Sequence, residues 1–455
     1  PFLVRLGETA PAVLLITSDT HRADHLGSAG AGVRVTTPHL DALAAQGLTF
    51  DNCTSAANVT NPSHVSIFTA TPPRDTGVVD NSSPVSELAP TLAEAFQAAG
   101  FATYAAVSAS QLGPEPSGLG QGFARFAAPR PGEGDRFDAI EHLLRWWPEA
   151  EGRPVFVWLH LFDAHGPYTP PPEFAERYWD GHDPRHPDLP EPAVVLPHWA
   201  RGVRDLEFLA AMYRAEVSSL DDRLAEVLDL SRVDDAIVAF TADHGEHLGQ
   251  HDVWFDHRLI YPGTLRVPLI LRTPDGPRSE RSSVRVENTD LGRTLLDAAG
   301  LEATDFPGRN LFREARDGRT GNAPRFAFAT YGWSASIETD GWFLVLHLAD
   351  QTREPLGLRR RRHQVELYDL SEDPHCTRDL VDFEPELARS LRAQLVAYLA
   401  AASETGWNVP DASPDAALSA ELTALGYADS ARPEAEIDWF DEECECEECA
   451  RFTRR

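Results

Sequence analysis

AIVAFTAD (Ala236–Asp243) is a run of strand length, apolar but for Thr241, that stops on a carboxylate. A strand with one wet face alternates apolar and polar residues, whereas one covered on both faces need not, so this run reads as a buried strand of a parallel sheet. Working outward, AVLLIT (Ala12–Thr17) stops just short of Asp19, and RPVFVWLHLF (Arg153–Phe162) stops just before Asp163 and His165. Helical segments fall between the strands. TTPHLDALAAQG offers Thr36 or Thr37 as N-cap, Pro38 in the first turn and Gly47 as the stop. APTLAEAFQAAG ends at Gly100 and leads into the strand FATYAAVSA, and the run from Asp205 to Leu230 carries Leu206, Leu209, Val217, Leu220, Leu224 and Leu228 at helical spacing. Strand and helix in alternation predict an α/β fold, a large mostly parallel sheet sandwiched by helices. After Ala323 the pattern changes: RFAFATYGWSASIETDGWFLVLHL is alternating and aromatic and turns at Asp340-Gly341. That predicts a smaller C-terminal α+β domain on an antiparallel sheet. The expected division is 1–322, 323–428 and an acidic Cys-containing tail, 429–455.

The chain has 455 residues, with 71 Asp and Glu against 40 basic residues, a net charge of −31, and every basic residue is Arg. Such a surface repels nucleic acid and anionic lipid, which removes both as general partners. No apolar run reaches the ~20 residues a membrane span requires. Residue 1 is Pro, so a soluble protein of the cytoplasm and one exported after loss of a signal peptide both stay open, as does the oligomeric state. Five Cys in an uneven set do not make a disulfide framework. Cys444, Cys446 and Cys449 lie in a tail with nine acidic residues between Glu434 and Glu448. The expectation is a solvated acidic tail, with C-x-C-x-x-C as a partial soft-metal cluster lacking a His as the alternative. Arg359 to Arg362 reads as a solvent-facing run. The Pro-rich stretch from Tyr168 to Trp199 reads as an ordered loop suited to wall a substrate site.

In open parallel sheets, chemistry gathers where strands end. Three of the predicted strands end at Asp19, at Asp163 and His165, and at Asp243 and His244. A fourth segment, VTNPSHVSIFTA, opens a helix with Pro62 in its first turn and Thr60 just ahead of the free N–H groups. A hydroxyl placed there faces a bound anion. Asp19, Asp243 and His244 form a ligand set for one divalent cation; carboxylate with imidazole suits Zn or Mn and tolerates harder ions such as Ca or Mg.

These segments together resemble the sulfatase family of the alkaline phosphatase superfamily. The resemblance runs through LLITSDTHRADHLG, TTPHLDALAAQGLTFDN, TNPSHVSIFTATPPRDTGV, TLAEAFQAAGFATYAA with QGFARF, HLFDAHGPYTPP, FTADHGEHLGQHDVWFDHRLIYPGTLRVPLIL and ELYDLSEDP, in order along nearly the whole chain. It implies an enzyme in which Asp19, Asp243 and His244 hold metal and Thr60 occupies the nucleophile position. His64 replaces the motif's usual Arg, His165 falls where a His contacts the transferred group, and His257 falls where a catalytic Lys is usual. Asn61, Asp163 and Tyr168 are expected at the substrate. Ser108 stands near the place of a second Lys and Ser18 where many members have another Asp ligand. A second metal on Asp163, His165 and His257 is an open variant.

The family's sulfatases use a formylglycine made from Cys or Ser, so Thr60 implies that this cofactor is not formed. Thr is the nucleophile of related phosphodiesterases and phosphoethanolamine transferases, and the resemblance extends to phosphonate monoester hydrolases. The implied activity is metal-dependent hydrolysis of a small anionic phosphodiester, phosphonate or sulfate ester. A sulfuric ester hydrolase without formylglycine, a phosphotransferase and a binding pseudoenzyme are the alternatives.

Overall fold

The computed structural model describes residues 12–133, 137–181, 183–230, 233–301, 305–318, 323–353, 358–401, 403, 405–407, 409–410, 415–425, 427, 440 and 444–453. Residue 322 at the expected boundary, and residues 429–439, 441–443 and 454–455 of the tail, lie outside them. The chain forms β1 (Ala12–Ser18), β2 (Leu48–Thr54), β3 (Ala102–Val107), β4 (Arg125–Ala127), β5 (Val155–Leu161), β6 (Ile237–Ala242), the ribbon of β7 (His247–Leu248) and β8 (Trp254–Asp256), β9 (Arg266–Arg272) and β10 (Glu280–Glu287). Eight of these make one sheet in the order β10-β2-β9-β6-β1-β5-β3-β4. All its strands run one way except β9, which is antiparallel to both β2 and β6.

The central strands are apolar on both sides for the reason read from Ala236–Asp243. Val13 and Leu15 of β1, Phe156 and Trp158 of β5, and Ile237 and Ala239 of β6 pack into one core. Their neighbours Leu14 and Ile16, Val157 and Leu159, and Val238 and Phe240 pack into the core on the opposite face. Alternate residues thus feed two cores, and the sheet is covered by helices on both faces. The long helix Leu206–Leu228 starts where Asp205 accepts the backbone N–H of Glu207, supplying a partner for one of the orphan donors of the first turn. Gly47 does more than stop a helix: a Cβ there would stand 2.4 Å from the carbonyl oxygen of Leu271 on β9.

The second sheet holds β11 (Arg325–Phe328), β12 (Ser334–Thr339), β13 (Trp342–His347) and β16 (Val365–Asp369) in that order, all antiparallel. β14 (Gln351–Arg353) and β15 (Leu358–Arg360) form a separate ribbon. The β12–β13 turn falls on Asp340 and Gly341, with φ of 49° and 84°, the two successive left-handed residues that tight hairpins favour. The helix Pro385–Ala400 buries Leu391, Leu395 and Leu399 against this sheet.

Two parts of the C-terminal region depart from the expected division. Trp407 and Val409 pack on the core of the large sheet, and the helix Ala416–Ala424 is tied to the large domain by Glu421, which accepts from Ser110 and from the backbone of Gly132. Trp407, Val409 and the helix Ala416–Ala424 therefore lie with the first domain in space. Among the described tail residues the expected solvation does not hold throughout: Phe440, Cys449 and Phe452 are buried in the core of the small domain. Nor is Arg359–Arg362 wholly free in solvent, because Arg360 pairs with Glu366 and Arg361 with Glu448.

Candidate active site

Strand register brings the ligand residues together. Ser18 of β1 lies opposite Ala242 of β6 and Leu161 of β5. The next residues, Asp19 and Asp243, therefore leave the sheet side by side. Both are fully buried, as are His244 and His160. His244 Nδ1 lies 2.9 Å from the carbonyl of Gly245; donating there leaves Nε2 with a lone pair, 3.8 Å from Asp19 Oδ1 and 3.5 Å from Asp243 Oδ2. Asp243 Oδ1 accepts from the backbone of Thr20 and of His244. Its Oδ2, both oxygens of Asp19 and His244 Nε2 have no hydrogen-bond partner. Four orphaned polar atoms at full burial are costly unless a cation collects them. Asp19, Asp243 and His244 lie close enough together to hold one, and their O and N donors fit a divalent metal.

The electrostatics agree. Burial and the neighbouring charge of Asp19 push the Asp243 carboxyl well above its ordinary range. Burial opposes ionisation of Asp19 as well, but the contact with His160 and the nearby His165 and His244 hold it low. Burial lowers His244 to about 4, so its imidazole is neutral and free to ligate.

Thr60 opens the helix Thr60–Thr69 and is wholly buried, its hydroxyl without a hydrogen-bond partner. The helix is docked onto the metal-ligand loop by Ser63, whose hydroxyl donates to the Asp243 carbonyl at 2.7 Å. The expected row of free N–H donors is absent: Asn61 N–H is given to Asn81 Oδ1, Pro62 has none, and Ser63 N–H closes onto the Val59 carbonyl. Asn61 also donates its side-chain amide to the Ser83 carbonyl and so ties the helix start to the 80–83 loop, while its Oδ1 has no hydrogen-bond partner. His64 sits behind Thr60, with Nδ1 at 2.8 Å from the Thr60 carbonyl and Nε2 at 3.1 Å from the Thr17 hydroxyl. Both ring nitrogens of His64 are thus engaged, and burial lowers it to about 3, so the ring is neutral.

His165 and His257 come together beside His244, with ring centroids of His165 and His257 5.7 Å apart and of His244 and His257 4.4 Å apart. His257 Nδ1 has no hydrogen-bond partner, and burial followed by the two other imidazoles depresses its pKa well below the usual value. Asp163 does not join them. It is ion-paired with Arg223 of the long helix. A second group that shares Asp243 is His64, His160 and Asp243. Tyr168 lies behind the site wall, its hydroxyl 3.3 Å from Glu246 and its ring against Trp199 and Tyr213.

A cavity of about 270 Å³ adjoins the site. His165, His257 and Glu246 line one side, the Pro-rich loop supplies Leu196, Pro197 and Trp199, and the small domain supplies Tyr331 and Trp333. The Pro-rich stretch thus forms a wall, as its composition suggests. Tyr427 also lines this cavity and was not foreseen. His165 Nδ1 lies 2.6 Å from the Gly166 carbonyl, so Nε2 accepts from the Tyr427 hydroxyl at 2.9 Å. The same hydroxyl faces Thr60, and burial raises its pKa well above the usual value. His160 was missed too, although it lies one strand over from Asp19, at 3.4 Å. A polar residue inside the apolar run VFVWLHL was the available signal for His160; Tyr427 carried none, being distant in sequence from every motif.

Residues 11–301 match the family described as Sulfatase, and residues 249–404 match that described as N-sulphoglucosamine sulphohydrolase, C-terminal. An arylsulfatase of Clostridium perfringens is 23% identical over 376 residues, 65% of this chain and 76% of the relative. An N-acetylglucosamine-6-O-sulfatase of Bacteroides thetaiotaomicron is 23% identical over 397 residues, 66% of this chain and 70% of the relative. In fold, a phosphonate monoester hydrolase from Silicibacter pomeroyi superposes with a TM-score of 0.67 at 20% identity, covering 88% of this chain and 99% of that one.

Proposed function

From the premise that the chain belongs to the sulfatase family, we propose that it hydrolyses a small anionic ester, with Thr60 as nucleophile and one divalent cation held by Asp19, Asp243 and His244. The observation that carries this reading is the set of buried, partnerless ligand atoms of those three residues, with the helix of Thr60 docked onto the Asp243 carbonyl. The cation supplies Lewis-acid stabilisation of the charge that develops on the transferred group and on the attacking oxygen. The protein's own groups do the rest. Register holds the two carboxylates, and the Gly245 carbonyl fixes the tautomer of His244. His64 and Ser63 hold the first turn of the helix so that the Thr60 hydroxyl is fixed in place before substrate arrives.

Leaving-group protonation falls to an imidazole, because the chain has no Lys. His257 has an unused Nδ1 at the cavity and His165 shares its Nε2 with Tyr427. The His257 ring is neutral when the site is empty of anion; an arriving anionic ester raises its proton affinity, which places the proton where the departing oxygen needs it. Tyr427, covering Thr60 and lining the cavity, excludes water from the nucleophile until the ester enters.

Thr favours phosphorus over sulfur. A formylglycine hydrate expels sulfate through its second hydroxyl; a threonine adduct has none and is cleared only by water attacking the transferred atom. In-line displacement at phosphorus permits that step. The relatives named above include sulfatases and a phosphonate monoester hydrolase, so the test is a panel. Aryl phosphodiester, phenyl phosphonate and aryl sulfate are compared on metal-reconstituted protein, and the phosphorus esters are expected to turn over faster. Faster cleavage of aryl sulfate overturns the threonine mechanism.

A further inference from the structure

His363 stands between β15 and β16, 81 residues ahead of the first cysteine of the tail. In the folded chain its Nδ1 lies 3.3 Å from Cys444 Sγ, 3.4 Å from Cys446 Sγ and 3.3 Å from Cys449 Sγ. The four ligand atoms all lie within 4.8 Å of one another. An imidazole nitrogen carries one proton or one lone pair and serves one hydrogen bond well, so three sulfurs at near-equal distance are not a hydrogen-bond pattern. They are the pattern of four donors converging on a common centre. Tetrahedral zinc, with Zn–S of about 2.3 Å and Zn–N of about 2.0–2.1 Å, sets N···S edges of about 3.5 Å.

We propose that His363, Cys444, Cys446 and Cys449 bind a structural Zn²⁺ that clasps the C-terminal tail to the small domain. Three thiolates and one imidazole are the ligand class that selects zinc, and with four protein donors no position is left for substrate or water. The surroundings fit a closed site. His363 and Cys449 are buried, Cys444 and Cys446 pack against the same core, and Phe440 lies on the His363 ring with centroids 4.7 Å apart. On binding, each thiol releases its proton to solvent, and the centre carries two positive and three negative charges. Arg392, buried and 3.1 Å from Cys449 Sγ, sits where that excess negative charge falls. A disulfide is the competing use of the three thiols; none of Cys444, Cys446 and Cys449 is in a disulfide in the structure, and an S–S bond of about 2.05 Å would pull two sulfurs off the common centre.

The test uses the full chain, purified under argon with zinc and dialysed without chelator. Zinc per chain is measured in wild type, Cys446→Ser and Asp243→Asn. Wild type is expected to hold one zinc more than Cys446→Ser, and Asp243→Asn is expected to keep that zinc. Cobalt-loaded wild type is expected to show sulfur-to-cobalt charge transfer in the near ultraviolet with tetrahedral visible bands. The O and N ligands of the active site cannot give the sulfur band, so it decides the question even if Cys446→Ser fails to fold; Cys444→Ser repeats the count at the other half-exposed thiol. Equal zinc in wild type and both Ser variants, a cobalt spectrum without the sulfur band, or a disulfide among the three tail cysteines overturns the proposal.

Discussion

Two groups of converging ligands stand in this molecule, and they are built in opposite ways. Asp19, Asp243 and His244 arise from neighbouring strands of one sheet, aligned by register, and stop beside a cavity. His363 and the three tail cysteines arise from a loop and a distant chain end, and are closed into a core. The first set has hard donors and three protein ligands, which leaves room for a reacting group; the second has soft donors and four. Ligand type and ligand count thus separate the proposed reacting site from the proposed clasp of the chain end.

The comparison breaks most readily at the first site. Thr60→Ala and Asp243→Ala should each cost roughly 10⁴-fold or more in turnover, as losses of a nucleophile or of its charge partner do. Both variants should keep the zinc of the tail, which metal analysis reads independently of activity. His257→Ala should lose roughly 10²–10⁴-fold on esters with poor leaving groups and far less on nitrophenyl esters. Equal losses on both kinds, measured as kcat/KM, would remove His257 from the acid role.

Smaller effects sharpen the contrast. Tyr427→Phe removes the hydroxyl that links His165 to the Thr60 side and should cost roughly 5-fold in kcat/KM, the worth of one hydrogen bond of about 1 kcal/mol. Cys446→Ser should leave kcat within about that range while lowering the unfolding temperature of the protein. A different kind of effect, on stability and not on turnover, is with pH. Burial lowers His21 and His244 to about 4 and His64 to about 3. An unfolded chain binds protons at these His near pH 6.5, whereas the folded chain does not until far lower pH. Stability therefore falls as pH drops from about 6.5 toward 4 and is retained above that window. Denaturant titrations across the window check the direction; a gain in stability on acidification would show these imidazoles to be protonated in the fold.

The first site was legible because its residues sit at the ends of apolar runs, and a run such as AVLLIT announces both a buried strand and where it stops. Parallel register then does the assembly that sequence can only imply. What escaped was placement by packing. Asp163 has the strand-end position of Asp19, yet Arg223 on the long helix claims it. Asn61 lies beside the nucleophile, and its amide ties the helix start to the 80–83 loop. Tyr427 reaches the site because the chain folds back onto the large domain after the small one. The tail read as acidic and solvated because charge dominates its composition; its cysteines lacked a visible fourth ligand, and only the fold brings His363 to them.

The account rests most heavily on Thr60 as the atom that attacks. Metal-reconstituted wild type is mixed with an aryl phosphonate, quenched in acid during turnover and digested, and the peptide carrying Thr60 is weighed. A phosphoryl-type adduct on Thr60 is expected, absent from Thr60→Ala, which is also expected to be inactive. Thr60→Ala protein that hydrolyses the same ester within tenfold of wild type would contradict the mechanism.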